Sequence, residues 1–168
     1  MSLFLVDCEA PFGCPSPVIS PMTECGLVLF DQPPFLTRFH WPLAGGIHDL
    51  HAWILENSVG RPVFVSDNPA YDWQWLAAEF AKANLDNPFG HSGRRISDFW
   101  AGLHRNFRTT QSWKSLRRTP HDHNPVNDAL GNAEALWTIL EALKHQRPLD
   151  SLRWCTCTST HTCEGHRA

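Results

Sequence analysis

The run Leu3-Phe4-Leu5-Val6 is apolar at every position and stops at Asp7. A strand with one face in water alternates apolar and polar residues, so an unbroken run of this kind reads as a central strand covered on both sides. Such a strand needs structural layers above and below its sheet. The 168-residue chain can supply them: 42% of its residues are hydrophobic, with eight Trp and ten Phe. Charged residues are 18%, below the ~25% of an ordinary soluble domain, which argues against extensive disorder. No segment approaches the ~20 apolar residues of a membrane span. The N-terminus lacks the basic start of a secretory signal, so a cytoplasmic protein without a membrane partner is expected. In that compartment the six Cys read as free thiols or metal ligands rather than disulfides.

Further along, residues 10–21 carry five prolines or glycines (Pro11, Gly13, Pro15, Pro17, Pro21) and read as a loop. Two strands follow, Glu24 to Phe30 and, after Pro33-Pro34, Phe35 to Phe39, paired as an antiparallel meander. Ile47, Leu50, Trp53 and Ile54 have helical spacing, and Pro62 to Val65 is a short strand. A helix begins near Tyr71, and Ile96 to Phe99 reads as a short strand or the first turn of a helix, with a strand leading into a helix favoured. Residues 107–122 are loop with a short helix. Asn124 is an N-cap, Pro125 takes the first helical position, and Val126, Leu130, Ala133, Trp137 and Leu140 trace one face of a helix of about 20 residues. The pattern is α/β, with helices flanking a mixed sheet.

Acidic residues mark the ends of these elements. Asp7 and Glu9 leave the same side of a strand end, where carboxylates are costly without a cation. After the 62–65 strand comes Ser66-Asp67-Asn68-Pro69-Ala70-Tyr71-Asp72, with Asp72 in the first turn of a helix. Before the last helix comes His123-Asn124-Pro125-Val126-Asn127-Asp128. Each motif alone is common. Asp7-x-Glu9, Asn68-x-x-Tyr71-Asp72 and His123-x4-Asp128, in this order and each on its own element, resemble the three motifs of the DEDDh group of 3′-to-5′ exonucleases. This group includes ribonuclease T, oligoribonuclease and polymerase proofreading subunits. The resemblance covers roughly residues 3–143. It implies a ribonuclease-H-like fold with a mixed five-stranded sheet flanked by helices, a nuclease domain over 1–150, and a separate Cys/His-rich tail over 151–168. Two departures stand out: Ala10 follows the D-x-E where the family often has Thr, and Asp67 stands where His or Gly is frequent.

The resemblance implies release of nucleoside 5′-monophosphates from the 3′ ends of single-stranded RNA or DNA, with RNA slightly favoured. Two Mg²⁺ or Mn²⁺ ions about 3.5–4 Å apart would activate water and stabilise the transferred phosphoryl group, and hard ions of this kind suit carboxylate ligands. The expected division has Asp7 bridging, Glu9 and Asp72 on one ion and Asp128 on the other. His123 is the expected general base, with an ordinary pKa near 6.5 that suits neutral pH. His121 is its rival, although Val126 rather than an acid stands five residues beyond it. For the substrate, Phe12 is the leading candidate to stack on a base and Trp73 the second, while Trp75 and Trp100 read as core. Cys8, Ala10 and Asn68 are flanking contacts, Cys8 also reading as a small buried residue on the opposite face of its strand.

Between Gly90 and His121, seven Lys/Arg face a single acid, Asp98. That run is either a solvated face or a phosphate track, with Arg117 and Arg118 as contacts. In the tail, Cys155, Cys157, His161, Cys163 and His166 match no paired zinc spacing, so a structural zinc is not expected there. Several members of the family are dimers, and a homodimer is the corresponding expectation. The contrasting reading is a catalytically silent domain that binds nucleic-acid ends or a protein partner through the tail.

Overall fold

The computed structural model describes residues 1–14, 16–149 and 152; the tail's Cys and His residues lie outside them. The sheet has five strands in the order β3-β2-β1-β4-β5, formed by β1 (Leu3–Glu9), β2 (Glu24–Leu29), β3 (Arg38–Trp41), β4 (Val63–Ser66) and β5 (Gly93–Arg95). β2 lies antiparallel to β1 and β3, whereas β1, β4 and β5 run parallel. The first apolar run is therefore the middle strand. Its alternation divides the interior into two cores. Phe4, Val6 and Cys8 face α1 (Ile47–Glu56) and α2 (Pro69–Lys82), with Leu50, Ile54, Trp75 and Phe80. Leu5 faces the other side, with Trp100 of α3 (Ile96–Leu103), Trp113 of a 3-10 turn (Ser112–Leu116), and Ala129, Ala133 and Ile139 of α4 (Pro125–Lys144).

The last helix matches its expected bounds. Asn124 caps it by accepting from the Val126 and Asn127 amides at 3.1 and 3.2 Å, and it runs for 20 residues. Two expectations need correction. Ile96–Phe99 is the opening of α3, and the strand is Gly93–Arg95 immediately before it; amphipathic Ile96 and Trp100 at helical spacing outweigh the short apolar run. The third strand begins at Arg38 rather than Phe35, because the chain first turns through Pro33-Pro34, closing with the Phe35 amide on the Gln32 carbonyl. No helix among the described residues is long and apolar enough to cross a membrane.

Candidate active site

β1, β4 and β5 are parallel, so their C-terminal ends lie on one edge of the sheet, the usual position for a ligand site in such folds. Asp7 and Glu9 share the face of Leu5, which is covered by α4. The start of α4 reaches them because Gly26, the cross-strand partner of Asp7, has no side chain. A Cβ there would lie 2.2 Å from the Pro125 carbonyl carbon. Asp128, one turn into α4 and 1% exposed, is thereby brought over the strand end. Ligand oxygens of Asp7, Glu9 and Asp128 lie within 4.8 Å of one another.

Asp72, 3% exposed in the first turn of α2, is tied to the same strand by the Cys8 amide, which donates to its Oδ1 at 3.1 Å. The expected division set Glu9 with Asp72 on one ion; the acids whose ligand oxygens lie within reach of one another are Asp7, Glu9 and Asp128.

These acids carry the electrostatic signature of a cation site. Burial, reinforced by Asp72 and Asp128, pushes the Asp7 carboxyl well above its ordinary range. Burial raises Asp72 to about 7, and Asp67 adds to it. Glu9 is also raised by burial, with His123 opposing. Buried Oδ2 atoms of both Asp7 and Asp72 have no hydrogen-bond partner among the described residues. Like charges gathered around unpartnered oxygens destabilise a fold unless a cation neutralises them. An all-oxygen donor set of this kind fits a hard divalent ion.

Both histidines of the loop before α4 face the cluster. His123, its side chain 76% exposed, holds Nδ1 3.6 Å from Glu9 Oε1. His121 places Nδ1 2.6 Å from Asp128 Oδ2, outside hydrogen-bond alignment, and the two rings lie 4.5 Å apart. The Asp122 amide donates to Asp128 Oδ1 at 3.3 Å. His121 is thus a neighbour of the site that spacing alone passes over.

The expected substrate contacts divide into two sets. Phe12 is fully exposed just beyond the D-x-E, and Asn68 is exposed at the start of α2 with no side-chain cap bond. Ala10 and Trp73 are partly buried and pack against the first core. The Cys8 side chain follows the second of its two readings: its thiol is buried 3.3 Å from Cys25 Sγ and 3.4 Å from the Asp72 carbonyl, beneath the site. Arg117 is turned inward: its side chain is 9% exposed, donates to Asn132 Oδ1, pairs with Asp67 at 3.6 Å and lies over the Trp113 ring at 5.1 Å, so its Nη2 is engaged within the fold. Lys114 also pairs with Asp67, at 2.7 Å, and Arg95 donates to the Asp67 carbonyl. The family departure at Asp67 therefore has a local reason: its carboxylate anchors two cations of the basic run, Lys114 and Arg117. Arg118 is exposed, and Arg94, Arg105 and Arg108 form no ion pair among the described residues.

No family model matches the chain. It is 31% identical over 93 residues to the 3′-5′ DNA exonuclease Cap18 of Escherichia coli, a match over 52% of this chain and 49% of that protein. The chain thus spans about half the length of this curated relative. Its fold is similar to the nuclease domain of 3′hExo, a DEDDh family member whose structure was determined bound to rAMP. That likeness has a TM-score of 0.60 at 11% identity and covers 86% of this chain and 91% of the other. Motif order, sheet topology and the curated relative agree: the chain has the fold of a DEDDh nuclease domain and is similar to the DEDDh-type 3′-to-5′ exonucleases.

Proposed function

We propose that the chain is a metal-dependent 3′-to-5′ exonuclease whose working unit is residues 1–150. The observation that carries this reading is the meeting of Asp7, Glu9 and Asp128 from two separate elements, with buried, unpartnered oxygens on Asp7 and Asp72. Asp7, Glu9 and Asp128 would hold one divalent ion, and Asp7 with Asp72 would serve a second. Bound there, divalent ions lower the pKa of water and neutralise charge on the phosphoryl oxygens.

The protein's own groups do the rest. His123 is exposed beside Glu9, where its imidazole can take the proton of an attacking water; such transfers are typically worth about 10²- to 10⁴-fold. Phe12 offers a face on which the terminal base stacks regardless of its identity. Asn68, with an unengaged side chain, is positioned by sequence to meet the terminal nucleotide. Products are nucleoside 5′-monophosphates. The family resemblance leans slightly to RNA, but the curated relative is named for DNA, so both sugars belong in the assay.

Digestion of 5′-labelled single-stranded RNA and DNA oligomers with Mn²⁺, Mg²⁺ or EDTA tests the reading. A ladder shortening from the 3′ end only with metal is expected. Intact oligomers in all conditions, with metal still bound, would favour the catalytically silent domain.

A further inference from the structure

Residues 117–123 carry both site histidines, yet they form neither helix nor strand. A loop that must hold a proton acceptor in place needs anchoring, because a displacement of about 1 Å can cost about 10²-fold in rate. The anchors are concentrated on one side chain. Glu134, on α4, accepts from the Arg118 amide at 2.9 Å and the Thr119 amide at 2.7 Å through Oε2, and from the Thr119 hydroxyl at 3.1 Å through Oε1. No other side chain receives three bonds from this loop among those the structure describes. Gly131, one turn earlier on α4, allows the close approach: a Cβ there would lie 2.8 Å from the Thr119 carbonyl oxygen.

Pro120 follows directly and restricts both itself and Thr119. At the far end, Asp122 accepts from the Asn124 amide at 3.0 Å and from Asn127 Nδ2 at 2.9 Å, tying the loop to the first turn of α4. His123 itself sits in the left-handed region, φ 61°, an arrangement a non-glycine residue keeps only when its neighbours enforce it. Only four residues, 120–123, lie between the Glu134 anchor and the Asn124 cap.

We propose that Glu134 is a positioning residue for His123: it fixes the entry of the histidine loop along α4, the helix that also carries Asp128. One side of α4 would then hold the metal ligand and the other the strap that delivers the base. The inference rests on the exonuclease reading for its kinetic arm, but not for its structural one.

The test compares the parent, Glu134→Ala, Glu134→Gln, His123→Ala and the double variant Glu134→Ala/His123→Ala. Each is assayed by steady-state kinetics on a labelled oligomer with Mn²⁺, by Mn²⁺-dependent thermal melting, and by amide hydrogen exchange over residues 117–124. Glu134→Ala should lower kcat at least tenfold with KM within about twofold, and retain the Mn²⁺-dependent rise in Tm. Glu134→Gln, which keeps a carbonyl acceptor, should recover part of the loss. In the His123→Ala background the Glu134 change should have little further effect, since both act through one group. Exchange of the Arg118 and Thr119 amides should accelerate in Glu134→Ala while α4 stays protected. Unchanged exchange there overturns the proposal, as does a kcat within twofold of the parent or a fully multiplicative double variant. A parent without metal-dependent activity contradicts the exonuclease reading instead, and the exchange result alone then decides the strap.

Discussion

At the scale of single residues, the carboxylates at the end of β1 and the start of α2 are poorly solvated and mutually repelling, and this sets the pH behaviour of the metal-free protein. Asp72 is raised to about 7 from an ordinary value near 3.8, so between those limits the folded state holds a proton that the unfolded chain has lost. The contribution of Asp72 to stability therefore falls as pH rises from about 4 to about 7, the opposite of the usual carboxylate case, with Asp7 acting in the same direction. Thermal melts in EDTA across that range should show Tm declining with pH, and saturating Mn²⁺ should reduce the decline. A flat or rising EDTA profile would contradict it. His123 belongs to this scale too. His123→Ala should lose about 10²- to 10⁴-fold in kcat while keeping the Mn²⁺-dependent stabilisation, and unchanged turnover would remove its role as base. These residues are legible in the sequence because each motif is local: Asp7 with Glu9 follows from strand alternation, and Asp72 and Asp128 from helix starts after Pro69 and Pro125. Their grouping is not legible there. Whether Glu9 sits with Asp128 or Asp72 depends on which face each helix covers, and no spacing within one segment encodes that.

Between elements, the site depends on how closely α4 approaches the sheet. Gly26 is the contact point, and nothing in its local sequence distinguishes it from any other strand glycine. The reason for it lies about a hundred residues away, in the backbone of Pro125 and Val126. Gly26→Ala must push the helix start away from β1 by an appreciable fraction of an ångström or more, at a cost of about 1–3 kcal/mol from overpacking. It should also weaken Mn²⁺ binding, because Asp128 moves with the helix while Asp7 and Glu9 stay on the strand. Melting and Mn²⁺ calorimetry on the variant check both effects; native metal affinity would show that the spacing is not set there. The long, well-capped α4 is legible from its periodicity, Asn124 and Pro125. By contrast, Ile96–Phe99 leaves strand and helical turn both open, and the favoured strand is wrong, because four residues are too few to separate the two.

For the molecule as a whole, the basic run has two functions that its composition cannot separate. Lys114 and Arg117 fasten the 3-10 turn to Asp67 and Arg95 ties the end of β5 to the Asp67 carbonyl, whereas Arg94, Arg105 and Arg108 have no ion-pair partner among the described residues. Arg117→Ala leaves Asn132 and Asp67 short of a donor and should cost about 1–3 kcal/mol of stability, without altering how oligomer binding depends on salt. Replacing Arg94, Arg105 and Arg108 together should leave Tm nearly unchanged and flatten that dependence, by about 0.7 in the log-log slope for each single-strand phosphate that is no longer neutralised. An unchanged slope would make these three merely solvated.

On the proposed reading, buried acids from three elements are kept at a cost to the fold for the divalent cation they would hold. Thermal melting of the parent and Asp7→Asn at pH 8, each with EDTA and with Mn²⁺, puts this to the sharpest test. In EDTA the variant should melt higher than the parent, since it removes a carboxyl whose ionised form is penalised by burial and by neighbouring like charges. With Mn²⁺ at about a hundred times its Kd the parent should gain about 2.7 kcal/mol, a rise of about 5–10 °C, and the variant should gain almost nothing. A parent whose Tm is indifferent to Mn²⁺, or a variant that responds as the parent does, would mean that these acids are not gathered for a cation.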